Sequence, residues 1–248
     1  MMSREAQISA VAALDEPTRR QLYDYVASQP GPVSRDDAAV ALALPRTTAA
    51  FHLDRLVDEK LLDVVYERRT GRTGPGAGRP AKLYRRSDQH VAVSLPQRHY
   101  DLAGRLLSGA VEEAEQSGES PRAILDRRAY ELGRQLGETA HSADGESNAR
   151  DTALRVLEGH GFEPRLDSGQ ILLANCPFHA LAQDYTEIVC GMNLALLDGV
   201  LDGLGTTGLT ARLDPAPPFC CVRIEKDPSA DPSPADPSPT DLSPDMEP

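Results

Sequence analysis

Residues 44–62 of the chain read LPRTTAAFHLDRLVDEKLL. Apolar side chains recur there at spacings of three and four, so an amphipathic helix is predicted from about Arg46 to Lys60. A short turn precedes it, and before the turn Ser34 with Asp37 three residues later indicates the start of another helix. Helix, short turn and helix in this order predict a helix-turn-helix.

A basic hairpin is predicted directly after this helix. Two strand patterns, Leu62–Glu67 and Ala81–Arg85, flank a loop rich in glycine. From Tyr66 to Arg86 there are seven lysines and arginines against one acid, although the whole chain carries a net charge of −12. Since phosphate neutralisation supplies much of DNA affinity, the hairpin is interpreted as a wing that grips DNA. A basic loop by itself would more simply be solvated.

Polar side chains on or near the exposed side of the helix can reach base edges or phosphates. Glycines in the wing let its backbone approach the minor groove or a phosphate. The alternative is an ordinary amphipathic helix with a solvated polar face. The candidate DNA-binding residues are Arg46, Thr47, Thr48, His52, Arg55, Arg68, Arg72, Arg79 and Lys82.

Charge is distributed unevenly along the 248 residues. Residues 1–90 carry a net charge of +2, residues 91–226 a net charge of −8, and residues 227–248 a net charge of −6. The last segment contains seven prolines and little apolar surface to bury, so it is predicted to be disordered. The acidic total therefore does not argue against DNA binding, because the acids lie away from the wing.

The patterns predict a mainly α fold with α+β content, in four regions. These are a winged helix-turn-helix DNA-binding domain over residues 1–90, a helical dimerisation region over 97–145, an α+β effector domain over 146–226, and the tail over 227–248. No window approaches 18 uninterrupted apolar residues, and the first residues do not read as a secretory leader. The chain is expected to be cytoplasmic.

All four cysteines lie in the C-terminal third, where a reducing cytosol favours metal binding or redox chemistry over structural disulfides. Thirteen residues separate Cys176 from Cys190 and 29 separate Cys190 from Cys220, which is not a zinc-ribbon spacing. Cys176 follows a predicted strand and precedes a helix, whose N-terminal dipole favours a thiolate. Cys220 and Cys221 are expected on opposite faces of a last strand over Phe219–Ile224.

Several motifs resemble known families. The segments LDEPTRR (14–20), 47–56 and GRPAKLY (78–84) resemble the ArsR-type winged-helix regulators of actinobacteria. The C-terminal segments NCPFHALA (175–182), VC (189–190) and PFCC (218–221) resemble the effector domain of the SufR-type iron–sulfur repressors.

This resemblance implies a homodimeric repressor of a double-stranded DNA operator, with an iron–sulfur cluster of the [4Fe-4S] type. The implied ligands are Cys176, Cys190 and Cys220. Relatives commonly carry histidines around the second cysteine where this chain has Tyr185-Thr186 and Met192-Asn193, so the fourth ligand is open between His179 and Asp184.

Other interpretations of the thiols remain open at this point. They could form a redox switch, or simply be buried core side chains. A winged-helix regulator could instead sense a small organic ligand, with structural or redox-switch thiols. A thiol oxidoreductase built on Cys220 and Cys221 is disfavoured, because the chain has neither a Cys-x-x-Cys motif nor a glycine fingerprint for a nucleotide cofactor. We therefore expect a regulator that is not an enzyme.

Overall fold

The computed structural model describes residues 2–67, 80–144, 148–205 and 208–227. The chain divides after Ser94 into an N-terminal and a C-terminal unit. The predicted fold class is confirmed, because helices dominate and each unit adds a small antiparallel sheet. None of the helices in these ranges combines the length and hydropathy that a bilayer-spanning segment needs.

The N-terminal unit contains four helices and three strands in the part that is described. In chain order these are α1 (Arg4–Ala13), α2 (Pro17–Ser28), β1 (Val33–Ser34), α3 (Arg35–Ala41), α4 (Arg46–Asp58), β2 (Leu62–Glu67) and β3 (Ala81–Arg86).

Side-chain caps explain where two of these helices begin. The Glu16 carboxylate accepts hydrogen bonds from the backbone N–H groups of Thr18 and Arg19, at 3.1 and 2.6 Å, which starts α2. At α3 the Ser34 hydroxyl accepts from the Asp37 N–H, and the Asp37 carboxylate accepts from the Ser34 N–H. The helix start predicted from this pair is confirmed as a reciprocal capping box.

Strand β3 is the centre of the N-terminal sheet, whose order is β1-β3-β2 with both pairings antiparallel. Val33 of β1 lies opposite Tyr84, while Leu62 and Glu67 of β2 lie opposite Arg86 and Ala81. The two predicted wing strands are therefore confirmed as a hairpin. The tip of this hairpin, residues 68–79, lies outside the described residues.

One hydrophobic core contains side chains from α2, α4 and the β2–β3 hairpin of this unit. Leu22 from α2, Leu53 and Leu56 from α4, Leu62 from β2 and Tyr84 from β3 are all buried and belong to the same cluster. Because α4 and the hairpin share this core, their relative placement within the unit is fixed by packing.

The C-terminal unit contains five helices and four strands in its described part. In chain order these are α5 (Tyr100–Ser117), α6 (Pro121–Asp144), α7 (Ala149–Gly159), β4 (Pro164–Asp167), β5 (Gln170–Leu173), α8 (His179–Asp184), α9 (Thr186–Gly203), β6 (Leu209–Leu213) and β7 (Val222–Lys226). The strands form an antiparallel sheet of order β4-β5-β7-β6.

Helix α9 is the central helix of this unit, with nine buried residues, and it contacts α6, α8, β6 and β7. Glycines allow its close approach to α6. A Cβ added at Gly199 would lie 2.1 Å from the Tyr130 carbonyl oxygen, and one added at Gly133 would lie 2.0 Å from the Leu196 carbonyl oxygen. The two helices therefore pack backbone to backbone, which only glycine permits at these positions. Helices α5 and α6, which were predicted to form a dimer seam, both contribute to this intramolecular core.

The last strand begins later than the sequence pattern predicted. It starts at Val222 rather than at Phe219, so Cys220 and Cys221 lie just before it. Pro217 and Pro218 supply no N–H for a sheet ladder, and regular pairing starts only beyond them. Cys220 nevertheless donates its N–H to the Leu173 carbonyl at 2.9 Å, which ties the segment to the end of β5.

Candidate DNA interface and cysteine site

Helix α4 has a buried side and an exposed side. Ala49, Leu53 and Leu56 face the core and have no exposed surface. The exposed side chains along the rest of the helix are Arg46, Thr47, Phe51, Asp54, Arg55 and Asp58. Three of the five predicted contact residues on this helix, namely Arg46, Thr47 and Arg55, belong to this exposed set.

Two arginines on α4 are oriented by acids. Arg46 forms a two-point ion pair with Asp36 of α3, with nitrogen–oxygen distances of 2.7 and 2.6 Å. Arg55 pairs with Glu59 at 2.5 Å, and 52% of its side chain remains exposed. Arg46 and Asp36 are both exposed, and exposed ion pairs contribute little stability, so the Arg46 guanidinium can exchange its carboxylate for a DNA phosphate or a guanine edge at small cost. The Glu59 side chain is only 11% exposed, so Arg55 has a partly buried partner.

His52 and Thr48 are more buried than the other predicted contacts on α4. Thr48 is half-buried, and only 13% of the His52 side chain is exposed. The His52 Nδ1 atom is 3.6 Å from a carboxylate oxygen of Glu16, the residue that caps α2. His52 therefore links α4 to the start of α2, and little of its ring is open to an incoming base.

A polar cluster of Asp54, Lys82 and Tyr84 joins α4 to the wing. The Lys82 ammonium and the Tyr84 hydroxyl both donate to one oxygen of Asp54, at 2.6 and 2.8 Å. Burial opposes ionisation of Asp54, but these two hydrogen bonds outweigh it and lower its pKa. Burial and the hydrogen bond to Asp54 raise the pKa of Tyr84 to about 12. Lys82, a predicted DNA contact, is thus also a bridge between the two elements.

The remaining predicted wing contacts are Arg68, Arg72 and Arg79, and they lie outside the described residues. They stay predictions from sequence.

Phe51 is an exposed apolar residue on α4 that was not among the predicted DNA contacts. Its side chain is 67% exposed, and its ring lies edge-to-face with the His52 ring at a centroid distance of 5.2 Å. The signal was present in the spacing: Phe51 is four residues after Thr47 and four before Arg55, so it lies between two predicted contacts on the same face.

The C-terminal unit brings the four cysteines together. Cys190 of α9 is paired with Cys221 in a disulfide, with 6.6 Å between their Cα atoms. The other two, Cys176 and Cys220, are buried free thiols that hydrogen-bond to each other. This shared hydrogen bond raises the pKa of Cys176 and lowers that of Cys220. Cys221, which was expected to turn away from the site, is thus a member of it.

Asn193 hydrogen-bonds to one of the two cysteine pairs. It lies one helical turn after Cys190 on α9, it is 1% exposed, and its amide Nδ2 donates to the Cys220 sulfur at 3.4 Å. Its Oδ1 atom is buried with no hydrogen-bond partner in the described part of the chain. A buried polar side chain in the middle of an apolar helix needs such a partner, and here the partner is a cysteine.

Neither candidate for a fourth metal ligand is buried: His179 and Asp184 begin and end α8, and both are exposed. Among the described residues no group of three or more histidine, cysteine or acidic side chains is arranged to hold a metal ion. With Cys190 bonded to Cys221, two free thiols remain at the site.

Comparison with known proteins identifies the N-terminal element. A family model described as a helix-turn-helix domain matches residues 14–65, which extend from just before α2 to within β2. No curated protein and no solved structure matches the chain. The matched segment contains α3 and α4 and ends within β2, so the N-terminal unit contains a helix-turn-helix of winged-helix type, similar to those of DNA-binding transcriptional regulators.

Proposed function

We propose that this chain is a homodimeric transcriptional repressor whose C-terminal cysteine site sets its affinity for an operator. Helix α4 and the wing contact the DNA, and two such helices in the dimer read half-sites about one helical turn apart. The observation that supports the sensing part is that four cysteines from three segments of the C-terminal unit lie close together.

The finer form of the proposal is an iron–sulfur cluster held by Cys176, Cys190 and Cys220. Buried thiolates are the ligands that such clusters use, so the donor chemistry fits. The fit requires Cys190 to be released from Cys221, because a disulfide sulfur does not supply a thiolate. Exposed His179 and Asp184 remain the candidates for a fourth ligand. When bound, a cluster would supply a link between α9 and the flanking segments that is sensitive to oxidants.

The pairing of Cys190 with Cys221 favours a second candidate, a thiol redox switch. In this form two thiols lose two protons and two electrons to a peroxide, which is reduced to water as the disulfide forms. The segment that carries Cys221 is then tied to α9, and reduction releases it. Both candidates place the signal at α9, and both make operator affinity depend on the state of Cys190.

An organic ligand has less support. The apolar gap lined by Leu102, Leu157, Phe162, Phe178 and neighbouring side chains has room for about one water molecule. A gap of this size does not accommodate an organic ligand, so it does not support the organic-ligand alternative.

Two measurements on the full-length protein test the proposal. Selection from random duplexes should enrich a sequence with two half-sites, and failure to enrich any sequence would contradict operator binding. Anaerobic purification with iron, sulfide and thiol assays then separates the sensor candidates. Iron and sulfide that are lost in Cys176→Ser support the cluster. Iron-free protein that loses two thiols on peroxide treatment, but not in Cys221→Ser, supports the switch.

A further inference from the structure

Phe51 occupies the centre of the exposed face of α4. At about 100° per residue, it lies roughly opposite the buried Ala49, Leu53 and Leu56. Its side chain is 67% exposed, although exposing an aromatic ring to water is unfavourable. If the exposed face of α4 enters a groove of a partner molecule, the Phe51 ring enters that groove with it.

The Phe51 ring also contacts a neighbouring side chain of the same helix. His52 contacts it edge-to-face, and His52 in turn lies beside Glu16 at the start of α2. The capping hydrogen bonds hold the Glu16 carboxylate in place. The contact with the largely buried His52 ring limits the freedom of the exposed Phe51 side chain before any partner arrives, which lowers the entropy lost on binding.

The surroundings of the ring favour DNA over a protein partner. Its neighbours on the same face are Thr47, Asp54 and Arg55, so the apolar surface is one ring wide within a polar and charged face. A protein interface centres on a larger apolar patch. In the major groove, by contrast, an isolated apolar side chain has a natural partner in the C5-methyl group of thymine.

We propose that Phe51 contacts a thymine methyl group in each operator half-site and so determines sequence preference at that position. The inference rests on the proposed operator binding and adds to it the base that one residue recognises. Thr47 and Arg55, one turn away on either side, place this thymine between the bases or phosphates that they reach.

The test removes the methyl group from the DNA and the ring from the protein. Each thymine of the selected operator is replaced in turn by deoxyuridine, and the dissociation constants of wild type and Phe51→Ala are compared. We expect one thymine per half-site at which wild type binds about fourfold more weakly without the methyl, the change expected for one methyl in an apolar contact. Phe51→Ala should bind the selected operator and its deoxyuridine-substituted form equally well.

Two further variants test whether the dependence on the thymine methyl group is specific to the Phe51 ring. Val40→Ala removes another exposed apolar side chain, which lies on α3 and is 83% exposed, and it should keep the wild-type dependence on the methyl. Phe51→Leu should keep part of it.

Each alternative outcome overturns the inference. Wild type could be insensitive to every substitution, or Phe51→Ala could retain the sensitivity. Phe51→Ala could instead change the oligomeric state while thymine dependence stays intact, which would assign the ring to a protein contact. If no operator is enriched in the first place, the proposed function fails together with the inference. If an operator is enriched and reads no methyl through Phe51, the inference alone fails.

Discussion

Helices α4 and α9 illustrate two ways of using a helix in one chain. Helix α4 buries three residues on one side and leaves the other side open, whereas α9 buries nine residues and contacts elements of its own unit all along. A helix that reads a macromolecule must keep a free face. Cys190 of α9 is buried in its disulfide and can be reached only by small species, so the comparison separates the proposed DNA contact from the proposed chemical sensor.

The largest effect is expected where α9 meets α6. Gly199→Ala places a Cβ 2.1 Å from a backbone oxygen of α6, and the helices must move apart. We expect a loss of about 3 kcal/mol or more in the free energy of unfolding. The matched control is Gly104→Ala on α5, where a Cβ meets nothing within 4 Å, and a gain of up to about 1 kcal/mol is expected. Chemical denaturation checks both, and equal stability of the two variants would mean that the helices are not in backbone contact.

On α4 the effect should appear chiefly in DNA selectivity. Arg55→Ala removes a half-exposed guanidinium, and losing a base contact should cost about 1–3 kcal/mol of specific binding. Arg79→Ala in the wing should weaken specific and random DNA alike and reduce the salt slope by about one unit. Fluorescence titrations over a salt series distinguish these results. If Arg55→Ala leaves the ratio of specific to random affinity unchanged, Arg55 does not read a base.

A smaller effect is expected at the bridge between α4 and the wing. Tyr84→Phe removes a hydrogen bond to Asp54 and should destabilise the protein by about 1 kcal/mol at neutral pH.

The same variant has a defined pH dependence. The folded-state pKa of Tyr84 is about 12, above its ordinary value of 10.0, so folding favours the neutral phenol. That contribution is fully present below about pH 10 and is lost as pH rises toward 12. The stability difference between wild type and Tyr84→Phe should therefore shrink over this range, and a difference that grows instead would reverse the proposed sign.

The sequence was most informative where local chemistry determines structure. The capping pair Ser34 and Asp37 and the β2–β3 hairpin both follow from spacing and local propensity. It failed where tertiary contacts decide. Alternation along a strand placed Cys221 away from the site, but the chain is not yet a strand at that residue and the thiol meets Cys190.

Asn193 shows the same limit, because a single polar residue within an apolar helix gives no indication of its partner. Its contact with Cys220 depends on β5 and α9 converging, and no local pattern encodes that. Phe51 differs, since helical spacing alone places it between Thr47 and Arg55, although the predicted contacts included only polar side chains.

The most direct test is to measure operator affinity as a function of the state of the cysteine site. Full-length protein is titrated with the selected operator in three preparations: anaerobic as purified, reduced and metal-free, and oxidised by peroxide. We expect at least two of them to differ five- to about 150-fold in dissociation constant, the usual range of allosteric coupling. Cys190→Ser should remove the difference, because both proposed states of the site require that thiol. Identical affinities in all three preparations, with specific binding intact, would contradict the account.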